Sequence, residues 1–369
     1  MEKRVCIIGA GTAGLILAKS LASNGIEVDI FEGKKTIEQD HAKASGILSK
    51  TGLQELGINY KEAIVNSLRG AYIYGNKNSM RICAQNTMAY VLDRGHLARI
   101  LMDDAISAGA SIYLGKKIDR QKITSLASKY SVLVGADGAV SNVASAFQFP
   151  PIEKHILTYK AEYEGLDIKE KYMVSVHFNN QISKKFFGWT VPYSNSVMEV
   201  GIGTFSKSGS SKKAYESFIK TQRIQNQING NKPLQEHASI IPLMVRKKTV
   251  MENVLLVGDA AGQVKATTGG GIIFGGICAK QAASSISAYI NSAVPLANYE
   301  KTWRKINGRD LTYHRLVHAY YSILGNRSVD FSLAIGRIIG LESLFSKYGD
   351  MDRPTRTIKR ILTRDLNKQ

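Results

Sequence analysis

Near its beginning the chain reads Arg4-Val-Cys-Ile-Ile-Gly-Ala-Gly-Thr-Ala-Gly14. An apolar, strand-like segment leads here into three glycines with the spacing GxGxxG, and apolar residues at helical spacing follow as far as Gly25. Glycines permit a tight turn and the close approach of a pyrophosphate, whose charge meets the N-terminus of the helix. Glu32 lies 18 positions after Gly14, where its carboxylate can accept from a ribose hydroxyl. The pattern predicts a βαβ unit that binds an adenine dinucleotide; a purely structural glycine turn is the alternative.

A second glycine-rich region distinguishes FAD from NAD. It begins about 245 positions later as Val254-Leu-Leu-Val-Gly-Asp-Ala-Ala-Gly262 and continues to Gly269-Gly-Gly-Ile272. A strand over 253–257 would deliver Asp259 at its carboxyl end, where parallel sheets bind ligands. A carboxylate there can accept from the ribityl chain, which FAD has and NAD lacks. The three glycines are expected to open a helix running to about Ile290, whose positive end would face the flavin ring. A packing turn before a core helix is the alternative.

Two further segments fit either a flavin contact or an ordinary structural role. Leu92-Asp-Arg94 stands at the entry of a predicted helix through Gly109. Val132-Leu-Val-Gly-Ala-Asp-Gly138 reads as a strand that ends in Asp-Gly, with Ser141 close behind.

Taken together, these motifs resemble the flavoproteins of the p-hydroxybenzoate hydroxylase fold, from Arg4 to about Ile290. The resemblance implies an α/β fold with three parts. They are a Rossmann-like FAD-binding domain of the glutathione reductase/p-hydroxybenzoate hydroxylase type, an antiparallel β-sheet substrate domain and a helical C-terminal segment. It also implies the residues that contact FAD: Gly9, Ala10, Gly11, Ala13, Gly14, Glu32, Gly33, Ser45, Gly46, Arg94, Ile118, Ala136, Asp137, Gly138, Gly258, Asp259, Gly269, Gly270, Gly271 and Ile272.

Within that group the chain is most similar to the archaeal geranylgeranyl reductase family. The similar stretches are Gly258 to Lys265 with Thr267 to Ile272, Ser45-Gly-Ile-Leu-Ser49, and Tyr348-Gly-Asp-Met-Asp-Arg-Pro354. That family saturates the isolated double bonds of isoprenoid chains, chiefly in archaeal membrane lipids and sometimes in quinone tails. The resemblance therefore implies an FAD-dependent reductase in which reduced flavin delivers hydride to an alkene.

The comparison with this family reveals one further matching motif and two differences. Its aromatic motif corresponds to Phe187-Gly-Trp-Thr-Val-Pro192, which implies a substrate site formed by Phe187, Trp189, Val191 and Pro192. Ser45 stands where many members carry a cysteine, so any role of that thiol is absent here. The basic residue that the hydroxylases carry after Asp-Gly-x-x-Ser is missing behind Ser141.

The sequence leaves the catalytic residues, including the proton donor, unknown. Gly201-Ile-Gly203 lacks a third glycine and a following helix, so no second nicotinamide motif is present. An external donor is therefore expected, either NAD(P)H or ferredoxin. Two rival functions are a flavin monooxygenase of the same fold and a basic membrane- or nucleic-acid-binding protein with a vestigial flavin site.

The predicted domain organisation is discontinuous. The FAD-binding domain comprises 1–65, 86–149 and 246–294, and the substrate domain comprises 66–85 and 150–245. A strand pair around Asn76 is expected to join the substrate sheet, and a single helix is expected over about 210–228. Residues 295–369 form the helical C-terminal segment.

The formal net charge of +19 is large for 369 residues. Residues 301–369 contain 14 Lys and Arg against 6 Asp and Glu, which leaves +8 on this segment. A solvated helical face and attachment to an anionic membrane surface explain this charge about equally well, whereas nucleic-acid binding is not expected. The apolar side of these helices is predicted to contain Tyr299, Trp303, Leu316, Val317, Tyr320, Tyr321 and Leu324.

Cysteine and histidine usage indicates neither a disulfide framework nor a metal site. The three cysteines are scattered, which is typical of a reducing cytoplasm, and Cys6 is expected to be a small core residue. His314 and His318 have the i, i+4 spacing that can hold a metal, but no HExxH pattern accompanies them, and we expect them on the helical surface. No apolar run is long enough for a bilayer span. We therefore expect a cytoplasmic protein associated peripherally with the inner face of the cell membrane. Its oligomeric state does not follow from the sequence.

Overall fold

The computed structural model describes residues 3–38 and 45–366, with side chains up to 363. Its strands, in chain order, are β1 (Arg4–Ile8), β2 (Glu27–Phe31), β3 (Ile47–Ser49), β4 (Ile64–Leu68), β5 (Gly70–Tyr74), β6 (Ser79–Cys83), β7 (Ala89–Leu92), β8 (Ser111–Tyr113), β9 (Val132–Gly135), β10 (His155–Tyr163), β11 (Met173–His177), β12 (Gly188–Pro192), β13 (Met198–Phe205), β14 (Gln235–Pro242), β15 (Val250–Met251) and β16 (Val254–Leu256).

The α-helices of the described residues follow the same order. They are α1 (Thr12–Ala22), α2 (Lys50–Leu56), α3 (Arg94–Ser107), α4 (Arg120–Ala127), α5 (Asn142–Ala146), α6 (Ser211–Ile219), α7 (Gln222–Ile228), α8 (Ile272–Ser292), α9 (Asn298–Ile323), α10 (Asn326–Ile338), α11 (Leu341–Tyr348) and α12 (Pro354–Leu366).

The first sheet has the strand order β15-β16-β9-β1-β2-β8 and is parallel except for β15. Successive side chains of β1 point to opposite faces, so Val5 and Ile7 join the core formed with α1, α3 and α8. Cys6 and Ile8 join the core formed with α4 and α5, and Cys6 is fully buried, as expected. Helices on both faces explain why the central strands β1, β9 and β16 are almost entirely apolar.

The second sheet has the order β14-β10-β13-β12-β11-β5-β6. It is antiparallel except where β11 pairs with β5, and that pairing places the strand pair around Asn76 in this sheet. One face is covered by α6 and α7 through a core that includes Val200, Ile202 and Phe218. A small third sheet, β3-β7-β4, packs Leu68 and Val91 against Val191 of β12.

The single helix expected over about 210–228 is wrong, because the structure has two. Thr221 adopts an extended backbone (φ −67°, ψ 140°), which an α-helix does not contain. Its hydroxyl donates to the carbonyl oxygen of Phe218 at 2.7 Å. This local bond occupies an acceptor that a continuing helix would use, so the chain restarts at Gln222.

The expected single apolar side of the C-terminal helices is also wrong. Tyr299 and Trp303 are almost fully buried and belong to the core of the first sheet, whereas Leu316, Val317 and Tyr320 are exposed. Leu316 and Tyr320 lie on a different face of α9 from Tyr299 and Trp303, since helical neighbours are three or four residues apart. Within the described residues, no helix has both the length and the apolar composition to cross a membrane. The domain boundaries given above stay predictions.

Candidate flavin and substrate site

The loop after β1 is closed by backbone contacts that only glycine allows. Gly9 has a φ of +105°, and a Cβ at this position would lie 2.5 Å from the carbonyl oxygen of Ala136. A Cβ on Gly14 would lie 2.2 Å from the carbonyl oxygen of Gly9. The turn and the segment after β9 are thus in direct contact, which brings Ala136 to the first glycine motif.

The second glycine region reaches the same place from the other end of the chain. A Cβ on Gly258 would lie 2.9 Å from the Cβ of Ala13, and one on Gly275 would lie 3.1 Å from the Cα of Gly258. The start of α8 and the end of β16 therefore pack on the start of α1. The two distant glycine motifs meet in space.

Glu32 is held at the end of β2, in the position predicted for a ribose contact. Its carboxylate accepts from the backbone N–H of Ala10 at 2.8 Å and from that of Lys34 at 3.1 Å. Gly33 packs against the side chain of Lys117. The adjoining Ile118 packs against the core on the α4 side of the first sheet. These residues form one end of the candidate flavin site.

Arg94 provides the clearest test of whether a charged cofactor fits. Its side chain is buried, and Nη2 donates to the Thr12 hydroxyl at 3.1 Å. Nε and Nη1 have no hydrogen-bond partner. Burial lowers the pKa of this guanidinium to about 10, although nearby Asp259 raises it. Because unsatisfied buried donors are destabilising, such a group beside a glycine turn suits the pyrophosphate of a dinucleotide.

Asp259 lies close enough to Arg94 for the two charges to interact. Desolvation raises the pKa of its carboxyl to about 6, with Arg94 acting in the opposite direction. The residue nevertheless keeps an exposed surface that a ligand could contact. Gly271 lies beside it, since a Cβ there would be 2.6 Å from Asp259 Oδ1. An acceptor near a buried cation matches a polyhydroxyl chain joined to a diphosphate, so FAD fits these residues.

The loop after β9 uses its carboxylate for structure. Asp137 accepts from the Ser141 hydroxyl at 2.5 Å and from the N–H of Val143 at 3.0 Å, which fixes the start of α5. Gly138 has a φ of +82°. This leaves the backbone of the loop, rather than its carboxylate, to face a cofactor.

Ser45 and Gly46 connect the flavin region to the second sheet. A Cβ on Gly46 would lie 2.2 Å from the carbonyl oxygen of Leu92, so this segment packs tightly against β7. The Ser45 hydroxyl donates to the carboxylate of Glu199 in β13. The residue at the position of the family cysteine is thus tied to the substrate sheet.

Glu199 is the centre of a buried polar cluster that the sequence did not predict. Lys160 Nζ lies 2.5 Å from Glu199 Oε2, and neither side chain is more than 3% exposed. The carboxylate also accepts from Trp189 Nε1 at 2.7 Å and from the Tyr193 hydroxyl at 2.8 Å. Although burial raises the pKa of Glu199, Lys160 holds it below its usual value. The signal available in the sequence was a charged residue within each of two strands rich in apolar residues, Lys160 in β10 and Glu199 in β13.

Three of the predicted substrate residues lie in β12 and Phe187 directly precedes it, but they occupy two environments. Phe187 stacks on Phe186 with 4.2 Å between centroids and belongs to the aromatic cluster that also contains Tyr321. Val191 instead packs against the small third sheet, and the carbonyl of Pro192 accepts from Asn66. The indole of Trp189 contacts both clusters.

Gly201, on the neighbouring strand, supports the indole of Trp189. A Cβ on Gly201 would lie 2.3 Å from Cζ2 of that ring. This face of the sheet therefore combines aromatic side chains with the buried Lys160–Glu199 ion pair.

The C-terminal motif docks beside the second glycine region. Lys265 Nζ lies 2.5 Å from Asp352 Oδ1, and the Ser49 hydroxyl also donates to Asp352. His314 contacts the Thr267 hydroxyl at 2.7 Å and the carbonyl of Asp352 at 3.0 Å.

The expectation that His314 and His318 lie on the helical surface is wrong, because both are buried. They are on the inner face of α9, where His318 contacts the carbonyl oxygen of Lys185 at 3.1 Å. Burial lowers the pKa of His314 to about 4. Among residues 3–38 and 45–366, no group of His, Cys, Asp and Glu could hold a metal ion.

Comparisons with known proteins show which proteins this chain is similar to. An uncharacterized protein of Methanocaldococcus jannaschii is 29% identical over 95% of this chain and 92% of that protein. A digeranylgeranylglycerophospholipid reductase of the same organism is 26% identical over 98% and 95% of the two chains. The crystal structure of a geranylgeranyl bacteriochlorophyll reductase-like protein from Thermoplasma acidophilum has a TM-score of 0.81 at 20% identity, covering 97% and 95%. That likeness shows a shared fold.

The family comparison covers most of the chain. Residues 2–293 match the model of the family described as FAD binding domain. The predicted fold class, the cofactor FAD and the resemblance to geranylgeranyl reductases are thereby confirmed, whereas the individual site residues stay predictions. The chain belongs to the FAD binding domain family and is an FAD-dependent oxidoreductase.

Proposed function

We propose that this protein saturates the carbon–carbon double bonds of isoprenoid chains, in geranylgeranyl lipids of the archaeal membrane type or in quinone tails. One of the proteins it is similar to is named for the reduction of digeranylgeranylglycerophospholipid. The observation that carries the proposal is the aromatic cluster of Phe178, Phe187, Trp189 and Tyr321 on the face of the second sheet that also contacts Ser45 through Glu199. A long hydrocarbon needs such a wall more than it needs polar contacts.

FAD, when bound and reduced, would supply hydride to one carbon of such a double bond, and a proton from a side chain or water would complete the addition at the other carbon. Arg94 and Asp259 would hold the cofactor, the former at its phosphates and the latter at its hydroxyl groups. The aromatic cluster excludes water, and its ring faces can stabilise positive charge that develops on an alkene without an oxygen to collect negative charge. The indole N–H of Trp189 donates to the carboxylate of Glu199, which fixes the orientation of this ring within the aromatic cluster.

The substrate class also implies a place of action. An isoprenoid lipid resides in the membrane, and a protein that reduces it must meet it there. We therefore propose a cytoplasmic protein that works at the inner face of the cell membrane. Its electron donor, NAD(P)H or ferredoxin, would reach the flavin from outside the chain.

The test uses the purified protein under anaerobic conditions. The bound flavin is recorded by absorbance and reduced with dithionite, and digeranylgeranylglycerophospholipid is then supplied in detergent. We expect mass spectrometry to show two added hydrogens for each double bond reduced. Protein stripped of flavin serves as the control and regains activity on adding FAD. Turnover that requires oxygen would instead indicate a monooxygenase, and a protein unable to take up FAD would indicate a vestigial site.

A further inference from the structure

The outer face of α9 presents apolar side chains to solvent. Their spacing of i, i+1, i+4 and i+7 puts them on one side of the helix, and they are between 49 and 79% exposed: Leu316, Val317, Tyr320 and Ile323. A contiguous set of large exposed apolar residues on a monomer marks an interaction surface.

The next helix, α10, continues this surface. Phe331, Ile335, Ile338 and Ile339 lie on its outer side and are between 39 and 83% exposed. The opposite side is buried through Val329 and Leu333, which pack against β6. The Tyr320 hydroxyl lies 3.2 Å from the Ser332 hydroxyl, so the outer faces of the two helices adjoin. We call this surface, defined by the eight apolar residues just named, the α9–α10 face.

Charges around this face are segregated by sign. The acidic residues of α9 to α11 all accept hydrogen bonds within the protein: Glu300 from the N–H of Thr249, Asp310 from that of Thr355, Asp330 from those of Lys77 and Asn78, and Glu342 from that of Arg81. Arg304 pairs with Glu300, and the other basic residues are exposed: Lys301, Lys305, Arg309, Arg315, Arg327, Arg337 and Lys347. The solvent therefore meets apolar side chains with cations among them.

We propose that the α9–α10 face docks on the surface of an anionic lipid bilayer. Apolar side chains can enter the headgroup region while neighbouring arginines pair with anionic headgroups. A second copy of the chain is a poorer partner, because a symmetric contact would bring the same arginines against each other. This docking proposal rests on the proposed function in one respect: a lipid substrate explains why the enzyme would need a membrane-binding surface.

The inner face of α9 connects the proposed surface to the substrate site. The Tyr321 hydroxyl donates to the carbonyl of Thr267 at 2.9 Å, next to the second glycine region. Its ring lies 5.3 Å from that of Phe178 and 6.4 Å from that of Phe187, centroid to centroid. One helix thus contacts the solvent with its outer face and the aromatic wall with its inner face. Docking through the α9–α10 face would bring an isoprenoid chain within one helix diameter of that wall.

Flotation with lipid vesicles tests the proposal without turnover. The flavin-loaded protein is mixed with vesicles of pure phosphatidylcholine or of phosphatidylcholine with phosphatidylglycerol. We expect flotation with the anionic vesicles and a decrease as salt is raised. The double variant Phe331→Glu/Ile338→Glu should reduce the bound fraction by roughly tenfold or more, because two carboxylates replace inserted apolar groups.

A matched control carries the same charge change elsewhere. Ile106 and Leu234 are 50 and 61% exposed and lie outside α9 and α10, so Ile106→Glu/Leu234→Glu should float as the unchanged protein does. Equal flotation of both double variants would overturn the proposal. Light scattering that shows dimers of the unchanged protein would also overturn it if only Phe331→Glu/Ile338→Glu dissociates them, because the face would then join two copies. Normal flotation without lipid reduction would leave the docking surface in place and refute the proposed function instead.

Discussion

Lys160 Nζ lies 2.5 Å from Glu199 Oε2 on two neighbouring strands of the second sheet, β10 and β13, and neither side chain is more than 3% exposed. The two residues are diagonal neighbours, since Lys160 pairs with Gly201 across β10 and β13, two positions from Glu199. Burying two charges is expensive unless each is neutralised by the other and hydrogen-bonded. Glu199 meets this condition with additional bonds from Ser45, Trp189 and Tyr193.

Removing only one partner of this pair should be strongly destabilising. Lys160→Met leaves the Glu199 carboxylate buried without its cation, and we expect the free energy of unfolding to fall by about 3–5 kcal/mol. The double variant Lys160→Met/Glu199→Gln should recover a large part of that loss, because no uncompensated charge remains. Urea unfolding of the four proteins of the cycle measures this coupling. Additive losses in the cycle would show that the two side chains do not act as a pair.

The same ion pair predicts the direction in which the free energy of unfolding changes with pH. The pKa of Glu199 is held below its usual value in the folded protein, so its stabilising contribution is present above the pKa of the unfolded state. It is lost as pH falls through the lower, folded pKa. We expect the unfolding free energy of the unchanged protein to decline more steeply on acidification below about pH 4 than that of the double variant. Parallel pH profiles would contradict this account.

The sequence predicted correctly those parts of the molecule that depend on a local pattern of residues. The turn at Gly9 and Gly14, the position of Glu32 and the strand that delivers Asp259 each depend on neighbouring residues in the chain. The contact between Lys160 and Glu199 was not predicted because it depends on the register of two strands, which no local pattern contains. The burial of His314 likewise depends on the docking of Asp352 against α9.

Arg94 should affect the ligand-free and the flavin-bound protein in different ways. In Arg94→Met the unpaired donors Nε and Nη1 disappear, so the ligand-free protein should be as stable as before or more stable. The affinity for FAD should fall by roughly tenfold to a hundredfold, because charge-assisted bonds to a phosphate are lost. Titration followed by flavin fluorescence, with thermal unfolding of the ligand-free protein, measures both. Unchanged FAD affinity would remove Arg94 from the cofactor site.

Asp259 predicts a pH effect opposite in sign to that of Glu199. Burial raises its pKa to about 6, so the folded ligand-free protein binds a proton that the unfolded chain has already released. Ionisation of this group therefore destabilises the ligand-free fold as pH rises from about 4 to about 6. Asp259→Asn should remove this contribution, making its stability relative to the unchanged protein greater at pH 7 than at pH 4. A stability difference that is independent of pH would contradict the assignment.

The contact between Gly201 and Trp189 gives a test of the aromatic wall itself. In Gly201→Ala the new Cβ would lie 2.3 Å from Trp189 Cζ2, so the indole must move away from the sheet and from Glu199. We expect the tryptophan emission to shift and lipid reduction to fall by about tenfold or more, with flavin content unchanged, because the displaced ring no longer shapes the substrate wall. Gly308→Ala on α9 is the matched control, since the nearest atom to its Cβ would be 3.7 Å away and alanine favours a helix. Full lipid reduction by Gly201→Ala with a shifted emission would show that the orientation of Trp189 is not needed for the reaction.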